Sequence, residues 1–202
     1  MSILLIRHGE TPGNAARIVQ RPAIPLSPRG VAQAERLARR LGGDGIARIL
    51  SSDLARAVMA AEHLRLVIGA PLLFDPLLQE RNFGDLRGTA YADLGVDMFA
   101  PGYAPPNGET WEVFHARVDR AWALVQETAA ATGGHLAVVT HGLVCRSLAS
   151  RHVVLPAGDT VPERWENTSV TILDGPTPWN VRLLNCAVHL DGLDATPGGA
   201  AV

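Results

Sequence analysis

The chain has 202 residues, of which 47% are hydrophobic and 19% charged, with a formal net charge of −2. This balance fits one domain with an ample core. It lacks the basic excess of a nucleic-acid surface and any apolar run long enough to cross a bilayer. The four apolar residues before Arg7 are too few for a secretory leader, and the two cysteines, Cys145 and Cys186, sit in apolar periodic segments as buried thiols, so a cytoplasmic setting is expected.

Ile3-Leu4-Leu5-Ile6 predicts a short buried strand that runs directly into Arg7-His8-Gly9-Glu10-Thr11. Arg and His belong in a core only when paired, and open α/β sheets bind ligands outside the carboxyl ends of their strands. Residues 12–27, with three prolines, predict an irregular loop that carries Asn14. Ser27 is the expected N-cap and Pro28 the first residue of a helix whose apolar stripe is Val31, Ala34, Leu37, Ala38 and Leu41. Ile46–Leu50 predicts a second strand. Asp53 is expected to cap the next helix, with Leu54, Ala57, Val58, Ala61, Leu64 and Ile68 inward. Arg56 then falls in the first turn, where a cation opposes the helix dipole by ~0.3–1 kcal/mol.

Residues 71–77 predict an extended piece, and Gln79-Glu80-Arg81-Asn82-Phe83-Gly84 has no period. Residues 85–107, rich in Pro, Gly and Asp, are the expected cover over a site and carrier of substrate preference, with a short helix near Tyr91–Phe99. A long helix is expected from Gly108-Glu109, with Trp111, Phe114, Val118, Ala121, Trp122 and Val125 inward. His135–Thr140 is a third strand pattern, and it ends, like the first, in His-Gly, at His141-Gly142, where a helix begins. Asn167–Leu173 and Trp179–Leu184 predict a hairpin. A single domain over 1–190 and a loose tail over 191–202 follow.

Arg7, His8, Arg56, Glu80 and His141 together suit phosphoryl transfer. Guanidinium groups grip phosphate oxygens in pairs, neutral imidazole is a competent nucleophile, and a covered carboxyl can protonate a leaving alkoxide. Nearby cations would keep His8 unprotonated. A zinc site on His8, Glu10 and His141 is the weaker reading: there is no His-x-x-x-His pair and no paired-cysteine spacing, and two arginines repel a divalent ion. Cys145 and Arg151 have the Cys-x5-Arg spacing of cysteine phosphatases. The intervening residues lack glycine and fit a helix, so the spacing is read as coincidence.

The run Leu5-Ile6-Arg7-His8-Gly9-Glu10-Thr11 resembles the signature of the histidine phosphatase superfamily, the phosphoglycerate-mutase-like family. Four further stretches resemble the family's motifs in order: Leu26-Ser27-Pro28-Arg29-Gly30, Ser51-Ser52-Asp53-Leu54-Ala55-Arg56, Leu78-Gln79-Glu80-Arg81-Asn82-Phe83-Gly84, and Val138-Val139-Thr140-His141-Gly142. Asn167-Thr168-Ser169-Val170 resembles its late strand. The resemblance implies an α/β three-layer sandwich with a mixed, mainly parallel sheet and helices on both faces. It implies a phosphohistidine on His8, no metal and no cofactor. Arg7, Arg56 and His141 would hold the phosphoryl oxygens with Asn14 and the Gly142 region nearby, and Glu80 would be the general acid and base.

The family's glycolytic mutases carry a basic insertion after the acid/base loop that retains the substrate's second anionic end. Here Arg87 is the only basic residue in 85–110, Phe83 stands where mutases tend to have tyrosine, and the loop after Asn14 reads Ile18-Val19-Gln20-Arg21. Weaker retention favours transfer to water, so a phosphomonoesterase is expected, with Arg21 and Phe83 as further substrate contacts. A mutase and a non-catalytic phosphate-binding relative are the alternatives. The expected partner is a small phosphorylated molecule, with phosphate or sulfate as simple occupants of the pocket. No nucleic acid or membrane is expected, and homodimerisation is left open.

Overall fold

The computed structural model describes residues 1–193. Its elements in chain order are β1 (Ser2–Arg7), α1 (Pro12–Ala15), α2 (Pro28–Leu41), β2 (Ile46–Ser51), α3 (Ala55–Ile68), β3 (Leu72–Phe74), α4 (Trp111–Ala130), β4 (His135–Thr140), α5 (Gly142–Arg151), β5 (Val170–Asp174) and β6 (Asn180–Cys186). Six strands form one sheet in the order β3-β2-β4-β1-β5-β6. The pairs β2–β3, β2–β4 and β1–β4 are parallel, whereas β1–β5 and β5–β6 are antiparallel.

Alternation along β1 divides the core. Leu4 and Ile6 pack with Leu37, Leu41, Ile49 and Leu64 on the side of α2 and α3. Ile3 and Leu5 pack with Phe114, Val118, Val138 and Leu148 on the side of α4 and α5. Both faces of a mainly parallel sheet are thereby covered, which is why its strands read as continuous apolar runs. Full burial of each such Leu, Ile or Phe contributes about 1.5–3 kcal/mol.

Among the four longer helices, starts follow local chemistry in two cases and tertiary demand in two. Ser27 Oγ accepts the Gly30 N–H and Pro28 opens α2. Thr110, two residues later than expected, caps α4 through the Val113 N–H. Asp53 does not cap α3. That helix starts from Leu54 without a side-chain cap, and Asp53 instead accepts from Gln79 Nε2 at 2.7 Å. α5 starts from His141, also without a cap from that side chain.

Other expectations need correction. The segment after Thr11 is a single helical turn, not irregular chain, because Thr11 and Asn14 form a reciprocal capping box. The expected helix near Tyr91–Phe99 is one 3₁₀ turn, Tyr91–Asp93. The late hairpin starts only at Val170, since Thr168 takes a φ of 55° that ends extended pairing. Cys186 is only partly buried, whereas Cys145 is fully so. Of the expected tail, residues 194–202 lie outside the described residues.

α2 approaches the loop after β1 closely enough that backbone touches backbone. A Cβ on Gly30 would lie 2.0 Å from the Glu10 carbonyl oxygen, and one on Gly9 would lie 2.6 Å from the Gly30 carbonyl oxygen. Gly30→Ala should therefore cost about 1–3 kcal/mol through forced separation, read as a lower denaturant midpoint. An unchanged midpoint would mean the two segments separate freely.

Candidate active site

The parallel pairing of β1 with β4 sets Arg7 opposite Thr140, so the residues after each strand, His8 and His141, emerge side by side. Their rings lie 5.1 Å apart, centre to centre, tilted by 60°, and both are buried. The His8 backbone is held on three sides: its N–H donates to the Thr140 carbonyl, and its own carbonyl accepts from the Thr168 N–H and from Asn167 Nδ2 at 3.1 Å.

His8 Nδ1 lies 2.6 Å from its neighbour's carbonyl, Gly9 O, which can only accept. Nδ1 therefore carries the hydrogen and Nε2 a lone pair. Arg56 Nε–H donates to that Nε2 at 3.3 Å. Burial, then the Arg56 and Arg7 charges, hold the His8 pKa well below its ordinary value. The first-turn position of Arg56 is thus explained: it reaches inward from α3, and its Nη1 donates to the Arg21 carbonyl. Burial and the charges of Arg7 and Arg87 bring it down to about 10, against an upward pull from Glu80.

Arg7 is buried and donates to the Trp165 carbonyl. His141 Nε2 pairs with Ser52 Oγ at 2.9 Å, while its Nδ1 is buried with no hydrogen-bond partner among the described residues. Ser52 Oγ already accepts from the Leu54 N–H. The hydroxyl keeps one hydrogen and one lone pair, so it can pair with either tautomer of His141. Burial, then Arg56, His8 and Arg7, lower the pKa of this imidazole well below normal.

Glu80 sits at the start of α5. Its two carboxylate oxygens accept the N–H of Arg81 at 3.0 Å and of Leu143 at 3.2 Å, so the acid supplies the side-chain cap that His141 does not. Burial nevertheless raises its pKa, outweighing those two bonds and the Arg56 and Arg7 charges. The loop carrying it is pinned from below. Arg117 on α4 donates to the carbonyls of Leu77, Gln79 and Glu80 and forms a two-pronged pair with Glu109. Glu109 in turn accepts the Asn82 N–H.

His8, Arg56, Glu80, Leu143 and Phe83 line one cleft with Gln20, Arg81, Arg87, Tyr91 and Phe99. Asn14 and Arg21 are not among the residues that line this cleft. Asn14 Oδ1 is occupied by the backbone and hydroxyl of Thr11. Arg21 is exposed, its guanidinium lying against Gly88, and only its carbonyl faces the site through Arg56. Gly142 is the buried first residue of α5. Glu10, the oxygen ligand of the zinc alternative, is bonded to Ser27 Oγ and Arg29 instead. Cys145 is buried on α5, and Arg151 pairs with Asp119 at the surface, so no Cys-x5-Arg loop exists.

Sequence reading missed Arg81, whose guanidinium donates to the carbonyls of Met98, Tyr103 and Glu109 and lies 3.9 Å from the Trp111 ring centre. It thereby fastens the 85–107 cover. The available signal was a second charge directly after Glu80 in a non-periodic run. Ser52 was visible only as part of a motif, and the Leu143 N–H leaves no trace in side-chain type.

Fold and site together define a histidine-centred, arginine-rich anion pocket at the carboxyl edge of a mixed sheet. The chain belongs to the histidine phosphatase superfamily (branch 1), whose pattern matches residues 3–186. A protein of Yersinia pestis (strain Pestoides F) named "Probable phosphoglycerate mutase GpmB" is 31% identical over 195 residues, 89% of this chain and 87% of that protein. Among solved structures, the α-ribazole phosphatase from Shigella flexneri superposes with a TM-score of 0.79 at 28% identity, covering 93% of this chain and 97% of that one. A mycobacterial glucosyl-3-phosphoglycerate phosphatase solved with VO3 gives 0.75 at 26% identity, covering 90% and 96%.

Proposed function

We propose that the protein is a metal-independent phosphomonoesterase that passes the phosphoryl group through His8, with Glu80 as general acid and then general base. The observation that carries this reading is the committed His8 tautomer: Nδ1 is spent on the Gly9 carbonyl, and Nε2 opens toward Arg56 in a cleft that also holds Glu80. In the first step the Nε2 lone pair forms a bond to phosphorus as the ester P–O bond breaks. The leaving oxygen takes the Glu80 proton. In the second, Glu80 accepts a proton from water, whose oxygen displaces Nε2 and releases phosphate. Arg7, Arg56 and His141 neutralise charge on the three peripheral oxygens.

Phosphatase relatives support the hydrolytic branch, and the GpmB-like relative supports a mutase reading. The cover favours hydrolysis. Arg87 is the sole basic residue in 85–110, and the wall beside it is apolar, with Phe99 edge-on to Phe83 and Tyr91 at 6.0 and 6.1 Å. Such a wall holds an aryl or alkyl leaving group better than a second anion. With excess EDTA present, p-nitrophenyl phosphate should release phosphate. 3-Phosphoglycerate should not be isomerised, with or without 2,3-bisphosphoglycerate. Isomerisation without phosphate release would establish the mutase, and loss of turnover with EDTA would refute metal independence.

A further inference from the structure

Linked to the His8 main chain through Thr168 is a third imidazole, outside the cleft lining, that the proposed reaction does not use. His189 follows β6 in a short 3₁₀ turn, Val188–Leu190. Arg40, from the last turn of α2, donates through Nη1 to His189 Nδ1 at 3.0 Å and to the Cys186 carbonyl at 3.2 Å. A guanidinium only donates, so Nδ1 must accept and the ring hydrogen must sit on Nε2. That Nε2 lies 3.0 Å from Thr168 Oγ1, which passes its own hydrogen to the Asn167 carbonyl at 2.7 Å. Every donor in the chain from Arg40 to Asn167 therefore points the same way.

Thr168 is where this direction matters. It is fully buried and β-branched, yet holds a φ of 55°, a conformation that such a residue keeps only when its surroundings impose it. In that conformation its N–H reaches the His8 carbonyl, beside the Asn167 side chain on the same oxygen. Burial and the neighbouring Arg40 and Arg36 charges take His189 down to about 4, against a weaker upward pull from Asp191, so the ring stays neutral and its tautomer fixed near neutral pH.

We propose that His189 is a positioning residue for His8: clamped by Arg40, it holds Thr168 in its left-handed turn and so fixes the His8 main chain. It rests on the reading of His8 as nucleophile, since misplacing a reacting atom by about 1 Å can cost on the order of 10²-fold in rate. His189 itself touches no substrate.

Three variants test this with p-nitrophenyl phosphate. His189→Ala should lower kcat by about 10- to 100-fold with KM little changed. His189→Gln, which keeps one acceptor and one donor, should recover much of the loss. Adding Thr168→Gly to His189→Ala should also restore kcat, because glycine takes positive φ without a clamp. A wild-type kcat in His189→Ala, or a loss that neither change repairs, overturns the proposal. Hydrogen exchange at the Thr168 amide needs no turnover and should quicken in His189→Ala; unchanged exchange also overturns it. If the wild-type protein releases no phosphate from any ester, the phosphatase reading fails, while the amide still decides whether the clamp exists.

Discussion

His8→Ala should abolish phosphate release, with a fall in kcat on the order of 10⁴-fold or more, as expected when the atom that forms the covalent bond is lost. The size of the effect follows from the ring's surroundings. His141 is close, but its Nε2 is engaged by Ser52 and its Nδ1 is fully buried, whereas the Nε2 lone pair of His8 lies in the cleft beside Glu80. Rapid quenching of the wild type during turnover should trap a phosphoenzyme that survives alkali and is lost in acid, as a phosphoramidate is. The variant should trap none. Turnover near wild type in His8→Ala, or an alkali-labile phosphoenzyme, would place the nucleophile elsewhere.

Glu80→Gln carries the second large effect, and it should depend on the leaving group. For alkyl phosphates, whose departing oxygen needs a proton, kcat should fall by ~10²–10⁴. For p-nitrophenyl phosphate the loss in the first step should be much smaller. The pH dependence follows from the direction of the Glu80 shift. Burial raises its pKa above the usual carboxylate range, and in the proposed mechanism the acid form performs the first step. Activity on alkyl phosphates should therefore decline as pH rises through that raised value, and Glu80→Gln should flatten this limb. His8 attacks in its neutral form, so losing its proton at a depressed pKa can only raise activity with pH and adds nothing to the limb. Equal losses on both substrate classes, or an unchanged alkaline limb, would remove Glu80 from the acid role.

What was legible in the sequence was whatever depends on side-chain type at a strand end. The two His-Gly junctions predicted adjacent imidazoles because each follows a buried apolar run, and parallel strands must end at the same edge. Arg56 was visible as a charge on the wrong end of a helix. Asp53 misled because a good capping residue was weighed without knowing that Gln79 would claim its carboxylate. Asn14 shows what a local motif hides: its Oδ1 is engaged by Thr11, three residues earlier, in a capping box that side-chain type alone did not announce. Arg81 and His189 act through backbone carbonyls and a hydroxyl supplied by segments distant in sequence, and no spacing rule encodes such partners.

Arg81 joins two functions in one residue. Its amide steadies the acid, and its guanidinium gathers carbonyls from Met98, Tyr103 and Glu109. Carbonyls are the same whatever side chain they accompany. The exposed positions between Gly88 and Tyr103 can therefore drift in identity while the tether stays intact and the carboxylate next to it stays in place. Cover and carboxylate are thereby separable in this protein, divided at the bond between residues 80 and 81.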